Sequence, residues 1–160
     1  MSAVYLGLGS NIDARANIAS GIRTLQETFG EVALSPIYEA PAVGFEGNDF
    51  INLVARVETG MTPLQLKDYL HRLEDRHGRD RSGPKFSDRT LDIDILLYDD
   101  LWLQSPLLEI PRDEILTAAH VLRPLADLAP DLVHPVRRQR IANLWQAFPQ
   151  NEAALRPITL

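Results

Sequence analysis

Two aspartates at alternate positions of one apolar stretch are the residues best suited to chemistry in this sequence. Asp92 and Asp94 lie in the run Leu91-Asp92-Ile93-Asp94-Ile95, whose β-branched residues are typical of a strand. Alternate side chains of a strand share a face, so both carboxylates would project from one side, roughly 7 Å apart. Like charges at that distance repel each other unless a cation lies between them. A hard, oxygen-binding cation such as Mg²⁺ suits this pair.

Basic residues are concentrated just before this strand, although the chain as a whole is acidic, with a formal net charge of −6. The cluster consists of Arg76, Arg79, Arg81, Lys85 and Arg89. Guanidinium groups bind phosphate oxygens through paired hydrogen bonds. The combination therefore predicts a site for Mg²⁺ and a polyphosphate, with a solvated basic loop as the alternative reading of the arginines.

The predicted elements place these residues on one sheet. Strands are predicted at 3–11, 32–38, 50–58 and 89–98, and amphipathic helices at 18–29 and from Thr62 towards Gly78. This strand-helix-strand-strand-helix-strand series is the ferredoxin-like arrangement, an α+β fold whose antiparallel sheet is flanked by helices. A turn and a short strand at 99–110 and helices at 122–132 and 141–148 follow. The loop 40–49 is long, and such loops often carry binding residues.

Composition limits the class of protein further. A chain of 160 residues with 45% hydrophobic content is long enough for one well-buried domain, which we expect to span 1–160. The acidic charge disfavours nucleic-acid or membrane partners, and zero cysteines exclude disulfides and thiolate chemistry. No apolar run reaches the roughly 18 residues of a membrane-spanning helix, and the N-terminus does not resemble a signal peptide. We therefore expect a cytoplasmic monomer with small-molecule ligands.

Six short motifs occur in one order along nearly the whole chain. They are Gly9-Ser10-Asn11, Tyr38-x-x-Pro41-x-x-Gly44, Asp49-Phe50-x-Asn52, Gly78-Arg79-x-Arg81, Arg89-Thr90-Leu91-Asp92-Ile93-Asp94-Ile95-Leu96 and Arg123-Pro124-Leu125-x-x-Leu128-Ala129-Pro130. Together they resemble the 6-hydroxymethyl-7,8-dihydropterin pyrophosphokinases, and the arginine-to-aspartate block is the most specific of them. The resemblance implies transfer of pyrophosphate from ATP to the pterin hydroxymethyl group, with two Mg²⁺ ions and release of AMP, in folate biosynthesis.

The resemblance also implies a role for each site residue. Asp92 and Asp94 would hold both Mg²⁺ ions, and Arg79 and Arg89 would be the catalytic arginines that brace the triphosphate. The residues that would bind ATP are His71, Arg79, Arg81, Arg89, Ile95 and Arg112. The residues that would bind the pterin are Ala40, Pro41, Val43, Phe50, Asn52 and His120. Three of these have structural alternatives: a core aromatic for Phe50, a backbone-bonded strand amide for Asn52 and an exposed helix position for His71.

Three segments depart from the family pattern. The usual Trp-Gly-Pro-Arg run is Phe86-Ser87-Asp88-Arg89, Arg112 stands at the place of a phosphate-contacting histidine, and Ala118-Ala119-His120 aligns with an Arg-x-Phe run. Asp88 is expected to weaken anion attraction beside Arg89. Arg112 would restore some positive charge, and His120 can still stack as a flat ring.

Three hypotheses about function therefore remain open. The first is a working pyrophosphokinase on 6-hydroxymethyl-dihydropterin, and the second is a divergent paralogue that uses another pterin or is catalytically poor. The third, from another class, is a ferredoxin-like regulatory module that binds a small ligand without chemistry. The pair of aspartates and the arginines argue against the third, because a binding module does not need a costly like-charge pair.

Overall fold

The computed structural model describes residues 1–42, 44–79, 81–83, 88–149 and 154–160. The strands are β1 (Ser2–Ser10), β2 (Ala33–Leu34), β3 (Ile37–Ala40), β4 (Phe50–Thr59), β5 (Asp92–Tyr98), β6 (Leu103–Gln104), β7 (Glu109–Ile110) and β8 (Arg156–Ile158). The helices are α1 (Ala14–Phe29), α2 (Pro63–Arg76), α3 (Glu114–Thr117), α4 (Ala119–Leu128) and α5 (Ile141–Ala147).

The main sheet has the topology that the element order predicts. Its strands run β5-β1-β4-β3-β8, with β2 pairing beside β3 on β4, and every pairing is antiparallel. The central pair is β1 and β4, and β5 forms one edge of the sheet. The ferredoxin-like α+β prediction is confirmed, because β1, α1, β3, β4, α2 and β5 follow one another as the predicted series.

Helices cover both faces of this sheet. The larger core lies between the sheet and α1 with α2, and it is built from alternate strand residues such as Leu6, Leu53 and Ile93. The smaller core lies under α4 and α5, and includes Val54 and Leu122. The result is three layers, and the period-two alternation of each strand decides which side chains enter which layer.

Local sequence explains the helix that precedes the arginines. The Thr62 side chain accepts a hydrogen bond from the backbone of Gln65, whose own side chain accepts one from the Thr62 backbone. This capping box, followed by Pro63 in the first turn, fixes the start of α2. The buried stripe of α2 consists of Leu66, Leu70, Leu73 and Glu74. A carboxylate in that stripe must find polar partners inside the protein.

Four element predictions were wrong in their boundaries. The helix predicted at 18–29 begins four residues earlier, at Ala14, and the strand predicted at 89–98 begins three residues later, at Asp92. The strand predicted at 32–38 is split into β2 and β3, because Ser35 turns in to bond the Val54 backbone through both its amide and its hydroxyl. The helix predicted at 122–132 is Ala119–Leu128, so Pro124 lies inside it rather than near its front. The sequence reading also missed β8, a short strand containing Pro157 that pairs only with β3, at the sheet edge where proline is tolerated.

None of the helices in the described part of the chain combines the length and apolarity needed to cross a membrane.

Candidate active site

The face of the sheet that α4 covers also carries both aspartates. Asp92 and Asp94 alternate along β5 with Ile93 and Ile95, which enter the core on the opposite side. The aspartate side chains are 34% and 30% exposed, so they are open to solvent at one end of the sheet. The structure therefore brings the two carboxylates to one face, as the alternation predicts.

A row of residues crosses the sheet beside them. Asp92 on β5 lies opposite Gly9 on β1, Gly9 lies opposite Asn52 on β4, and Asn52 lies opposite Tyr38 on β3. A side chain at position 9 would place its Cβ only 2.7 Å from Oδ1 of Asn52. Gly9 therefore allows the Asn52 amide to lie over the central strand, which explains the glycine of the first motif.

Gly7 occupies the equivalent position in the next row, between Asp94 and Val54. A Cβ there would come within 3.3 Å of the Leu96 side chain. With strands spaced about 4.8 Å apart, Asn52 and Asp92 are about 10 Å apart across Gly9. We call these two glycines of β1 the glycine floor; the Asn52 amide lies over Gly9, and the Leu96 side chain lies over Gly7.

Each aspartate lies beside a guanidinium group. Nη1 of Arg79 donates to Oδ1 of Asp92 at 2.7 Å, and Nε of Arg112 lies 3.6 Å from Oδ2 of Asp94. Burial, reinforced by the negative charge of Asp92, raises the pKa of Asp94 to about 7, and Arg112 opposes this shift. Like-charge repulsion between the carboxylates is therefore only partly relieved by the arginines.

Glu74 organises the arginines from beneath. Its side chain is 4% exposed, and Oε1 accepts from Nη2 of Arg81 at 2.6 Å while Oε2 lies 3.8 Å from Nη1 of Arg79. Oε2 also accepts from the backbone N–H of Ile93 at 2.7 Å, on the edge strand between the two aspartates. Burial raises the pKa of Glu74, while the Ile93 amide and both arginines oppose that shift. One carboxylate thus links the arginine segment to the aspartate strand.

A cavity of about 300 Å³ opens beside β5 at the edge of the sheet. Its lining comes from α2, β5, the β6–β7 connection and the segment that follows: Lys67, Leu70, His71, Ile93, Asp94, Ile95, Ser105, Pro106, Leu107, Leu108, Glu109 and Arg112. Three residues that the family resemblance assigns to ATP, His71, Ile95 and Arg112, therefore share one cavity with Asp94. Burial lowers the pKa of His71, and the charges of Arg81 and Lys67 lower it further.

The residues assigned to the pterin lie on the other side of the glycine floor. Phe50 and Asn52 alternate along β4 with Ile51, which enters the larger core, and Ala40 on β3 lies opposite Phe50. The Phe50 ring packs edge-on against Phe45, with 6.3 Å between their centroids. Phe50 is half-buried and belongs to neither core, so the core alternative for this residue is wrong.

Two further residues that the family resemblance assigns to the pterin belong to the loop after β3. Pro41 is exposed at the start of the loop, and Val43 lies outside the described residues.

His120 stands at the start of α4, near the aspartates. Burial lowers the pKa of His120, and the charges of Glu114 and Asp92 oppose that shift. Glu114 in turn accepts from Nε of Arg112 at 2.8 Å. His120, Arg112 and Glu114 therefore surround the acidic pair from the α3–α4 side.

The arginines also occupy different surroundings from one another. Arg79 is 13% exposed, and its Nε is buried without a hydrogen-bond partner among the described residues. Arg81 is 36% exposed and also bonds Asp75. Arg89 follows Asp88 at the end of the arginine segment and is half-buried.

The acidic pair fits a cation that takes only part of its coordination from protein. Within the described residues, no group of three or more His, Cys, Asp and Glu side chains could hold a metal ion. Mg²⁺ characteristically uses one or two carboxylates and completes its octahedron with water and phosphate oxygens. Asp92 and Asp94 match that donor set, and burial together with the charge of Asp92 raises the pKa of Asp94.

Sequence reasoning missed Glu74 and the β6–β7 connection as parts of this site. Glu74 carried a detectable signal, because a carboxylate at helical spacing with Leu66, Leu70 and Leu73 must be buried with partners. The connection at 105–108 carried none, since its place beside α2 depends on how the β6–β7 hairpin packs.

Sequence comparisons find similar proteins that are named as pyrophosphokinases. The 2-amino-4-hydroxy-6-hydroxymethyldihydropteridine pyrophosphokinase of Pseudomonas aeruginosa is 41% identical over 137 residues, which cover 82% of this chain and 83% of that protein. The enzyme of the same name from Aquifex aeolicus is 35% identical over 141 residues, covering 87% of this chain and 88% of its own.

Solved structures give the same fold at low identity. A Plasmodium falciparum HPPK-DHPS triple mutant with STZ-DHP matches 91% of this chain with a TM-score of 0.70 at 15% identity. An HPPK-DHPS in complex with substrates matches 94% of it with a TM-score of 0.74 at 14% identity. The present chain spans 41% and 44% of those two longer chains.

The family model for 7,8-dihydro-6-hydroxymethylpterin-pyrophosphokinase (HPPK) matches residues 5–130, from the central strand to the end of the helix that covers the site. With relatives above 30% identity over most of its length, this chain belongs to the HPPK family of pyrophosphokinases.

Proposed function

We propose that this protein transfers the pyrophosphoryl group of ATP to the hydroxymethyl group of 6-hydroxymethyl-7,8-dihydropterin, giving AMP and the pterin diphosphate for folate synthesis. Family membership supports the reaction class. The observation that carries the assignment for this chain is the row formed by Asp92, Gly9 and Asn52. This row brings the carboxylate strand and the Asn52 amide to one face of the sheet with Gly9 between them, which supports a metal on one side and a pterin on the other.

The dimensions of that floor suit transfer between two bound substrates. Asn52 and Asp92 are about 10 Å apart across Gly9, a span that can hold the pterin hydroxymethyl group and the β-phosphoryl group in contact. Holding the hydroxyl oxygen and the β-phosphorus in line converts a bimolecular step into one within a complex, without a covalent enzyme intermediate. The hydroxyl oxygen forms a bond to the β-phosphorus, the bond between the β-phosphorus and the α–β bridging oxygen breaks, AMP leaves with that oxygen, and the hydroxyl proton is released to solvent.

Asp92 and Asp94 would hold two Mg²⁺ ions in this proposal. Mg²⁺ held by these carboxylates would neutralise the charge that develops on the phosphate groups during transfer. The carboxylates would hold these ions beside β5, where Glu74 accepts a hydrogen bond from the backbone of Ile93 between the two aspartates. The strand that carries both ligands is therefore held rigidly from below.

The arginines would brace the triphosphate. Arg79 already donates to Asp92, so its guanidinium group lies next to the proposed phosphate site. Arg89 and Arg112 would add charge from either side of the aspartates, and Arg81 would act less directly because Glu74 and Asp75 occupy it. Bidentate guanidinium contacts suit this task better than a lysine would.

The two substrates would occupy opposite sides of the glycine floor. The cavity beside β5 would take the nucleoside of ATP, with His71 on its helical wall and the edge-strand backbone at Ile95 as the hydrogen-bonding surface. The Asn52 amide would read the pterin donor and acceptor edge, Phe50 and His120 would contact its ring, and the loop around Ala40, Pro41 and Val43 would close the side. We propose that this site works in a monomer of one domain.

Product analysis tests the reaction directly. The purified protein is incubated with ATP, Mg²⁺ and 6-hydroxymethyl-7,8-dihydropterin, and AMP, ADP and pterin diphosphate are quantified. Equal amounts of AMP and pterin diphosphate are expected. The double variant Asp92→Asn/Asp94→Asn should lose this turnover, and Asp131→Asn, an exposed aspartate that pairs with Arg140, should retain it. Turnover with a different pterin only, or ADP in place of AMP, would refute the assignment.

A further inference from the structure

His77 ends α2 and joins this helix to α1 through its ring. The N–H of His77 donates to the carbonyl of Glu74 at 2.9 Å, so the carbonyl of Leu73 loses its usual helical donor. The ring replaces that donor, because its Nδ1 lies 2.9 Å from the Leu73 carbonyl oxygen. The other ring nitrogen, Nε2, lies 2.9 Å from Oγ of Ser20 on α1. We call this second contact the Ser20–His77 bridge.

The two partners fix the position of the proton on the His77 ring. A carbonyl oxygen only accepts hydrogen bonds, so the Nδ1 that faces Leu73 carries the proton in the neutral ring. The unprotonated Nε2 then accepts a hydrogen bond from the Ser20 hydroxyl. The bridge therefore requires one particular tautomer of the histidine.

The residues after His77 lead directly to the first arginine of the site. Gly78 has a φ of 78°, and its N–H donates to the Asp75 carbonyl at 3.0 Å. The N–H of Arg79 donates to the Glu74 carbonyl at 3.3 Å. These two bonds form a Schellman motif, a common helix end that needs a left-handed residue such as glycine. The backbone of Arg79 is therefore part of the end of α2 and moves with it.

The same turn of α1 also supports the start of the aspartate strand. Gly21, the residue after the bridging serine, lies against Leu91, since a Cβ at position 21 would be 3.1 Å from Cδ2 of Leu91. Leu91 is fully buried and directly precedes Asp92, the first residue of β5. One turn of α1 thus supports both members of the Arg79–Asp92 ion pair, Arg79 through the end of α2 and Asp92 through Leu91.

We propose that Ser20 and His77 are positioning residues that hold Arg79 in place beside Asp92, with α1 as the common support. The consequence for catalysis rests on the proposed function, in which Arg79 braces the triphosphate. Without the bridge the end of α2 is less firmly held to α1, so Arg79 reaches its productive position less often. Loss of the bridge should therefore impair the reaction of ATP more than the binding of the pterin.

Nuclear magnetic resonance of the ligand-free protein tests the bridge without relying on the function. At mildly alkaline pH, where histidine side chains are ordinarily neutral, the ring ¹⁵N shifts of His77 should show the proton on Nδ1. Ser20→Ala removes the hydroxyl that donates to Nε2. The amides of Gly78 and Arg79 should then exchange with solvent about fivefold faster than in the wild type.

Two substitutions of the histidine separate its two contacts. The short amide of His77→Asn can take the place of Nδ1 and donate to Leu73, but it does not reach Ser20. The longer amide of His77→Gln can take the place of Nε2 and accept from the Ser20 hydroxyl. His77→Asn should therefore match Ser20→Ala, the double variant should be no worse than either, and His77→Gln should restore slow exchange.

Steady-state kinetics then measures the effect on the reaction. Ser20→Ala should lower kcat/KM for ATP by about fivefold and leave the KM for the pterin within about twofold of wild type. His77→Gln should keep most of the wild-type kcat/KM. The matched control is Thr28→Val, which removes another hydroxyl contact between α1 and α2, with Tyr69. Even if its melting temperature falls as far as that of Ser20→Ala, the control should keep wild-type kcat/KM and slow exchange at Gly78.

Three results would overturn the proposal. They are a proton on Nε2 of His77 in place of Nδ1, unchanged exchange at Gly78 and Arg79 in Ser20→Ala, and faster exchange accompanied by wild-type kcat/KM. Absence of AMP release by the wild-type protein would instead refute the proposed function. The exchange data would still decide whether Ser20 and His77 hold the backbone of Arg79.

Discussion

Replacing Glu74 should separate the support of the aspartate strand from the support of the arginines. Glu74 accepts from the Ile93 amide with Oε2 and from Arg81 with Oε1. In Glu74→Gln the amide oxygen can still accept from Ile93, but its NH₂ group faces guanidinium donors and cannot hold them. In Glu74→Ala both kinds of bond are lost, and the Ile93 N–H on the edge strand has no internal acceptor in its place.

The structure sets the size of these effects. An unsatisfied buried N–H costs about 1–3 kcal/mol, and lost charge-assisted bonds add to it. Breaking a buried ion pair costs about 3–5 kcal/mol when the remaining charge is left buried without a partner. That full cost does not apply here, because Arg79 retains its ion pair with Asp92, and Arg81 is 36% exposed and retains its ion pair with Asp75. We expect Glu74→Ala to lose about 3 kcal/mol and Glu74→Gln about 1 kcal/mol. In a domain of this size that corresponds to melting temperatures lower by about 6–12 °C and about 2–4 °C.

In Glu74→Gln the loss of activity should be larger than the small loss of stability suggests. The glutamine variant should remain folded but lose about tenfold or more in kcat/KM for ATP, because Arg81 loses its buried carboxylate partner and Arg79 is held by Asp92 alone. Thermal unfolding followed by circular dichroism and steady-state AMP release measure the two effects. Asp68→Asn, an exposed carboxylate on the same helix, is the matched control. A glutamine variant with wild-type kcat/KM, or an alanine variant that melts within a degree of wild type, would refute the reasoning.

Three other predictions concern the floor of the site and its metal. Asp94→Asn should keep the fold and abolish Mg²⁺-dependent turnover, with loss of Mn²⁺ binding measured by electron paramagnetic resonance; near-normal turnover would exclude the metal role. The pKa of Asp94 is raised from 3.8 to about 7, so the folded metal-free protein binds more protons than the unfolded chain in this range. The melting temperature of the metal-free protein should therefore fall as pH rises from about 4 to about 7, whereas its affinity for Mn²⁺ should rise over the same range. In Asp94→Asn, both the melting temperature and the Mn²⁺ affinity should depend less on pH. Gly9→Ala places a Cβ 2.7 Å from Oδ1 of Asn52, so the KM for the pterin should rise by about tenfold or more. The affinity for ATP should change little. Steady-state kinetics with the pterin and stopped-flow binding of ATP measure the two effects.

Much of the site was predictable because strand periodicity is local. The alternation of Asp92 and Asp94 with isoleucines already required one shared face for the carboxylates. The same rule put Phe50 and Asn52 on one side of β4. The order of strands and helices was sufficient for the ferredoxin-like topology, since the connections leave few other antiparallel arrangements.

Other features depended on distant parts of the chain. The split of 32–38 into two strands follows from Ser35 bonding Val54, a contact that no local propensity encodes. Similarly, α4 begins three residues before its predicted start, where Val121 and Leu122 both donate to the carbonyl of Ala118.

The sequence by itself determined the chemistry available to this protein: two carboxylates in register, a cluster of guanidinium groups and an amide on a neighbouring strand. Tertiary structure alone decided which of these groups meet. Strand pairing aligned Asp92, Gly9 and Asn52, which are separated by tens of residues in sequence, and burial committed Glu74 to holding the strand and the arginines around it. The physical reason is that side-chain direction is fixed by local backbone geometry, whereas strand register and the partners of buried polar groups are fixed only when the whole chain packs.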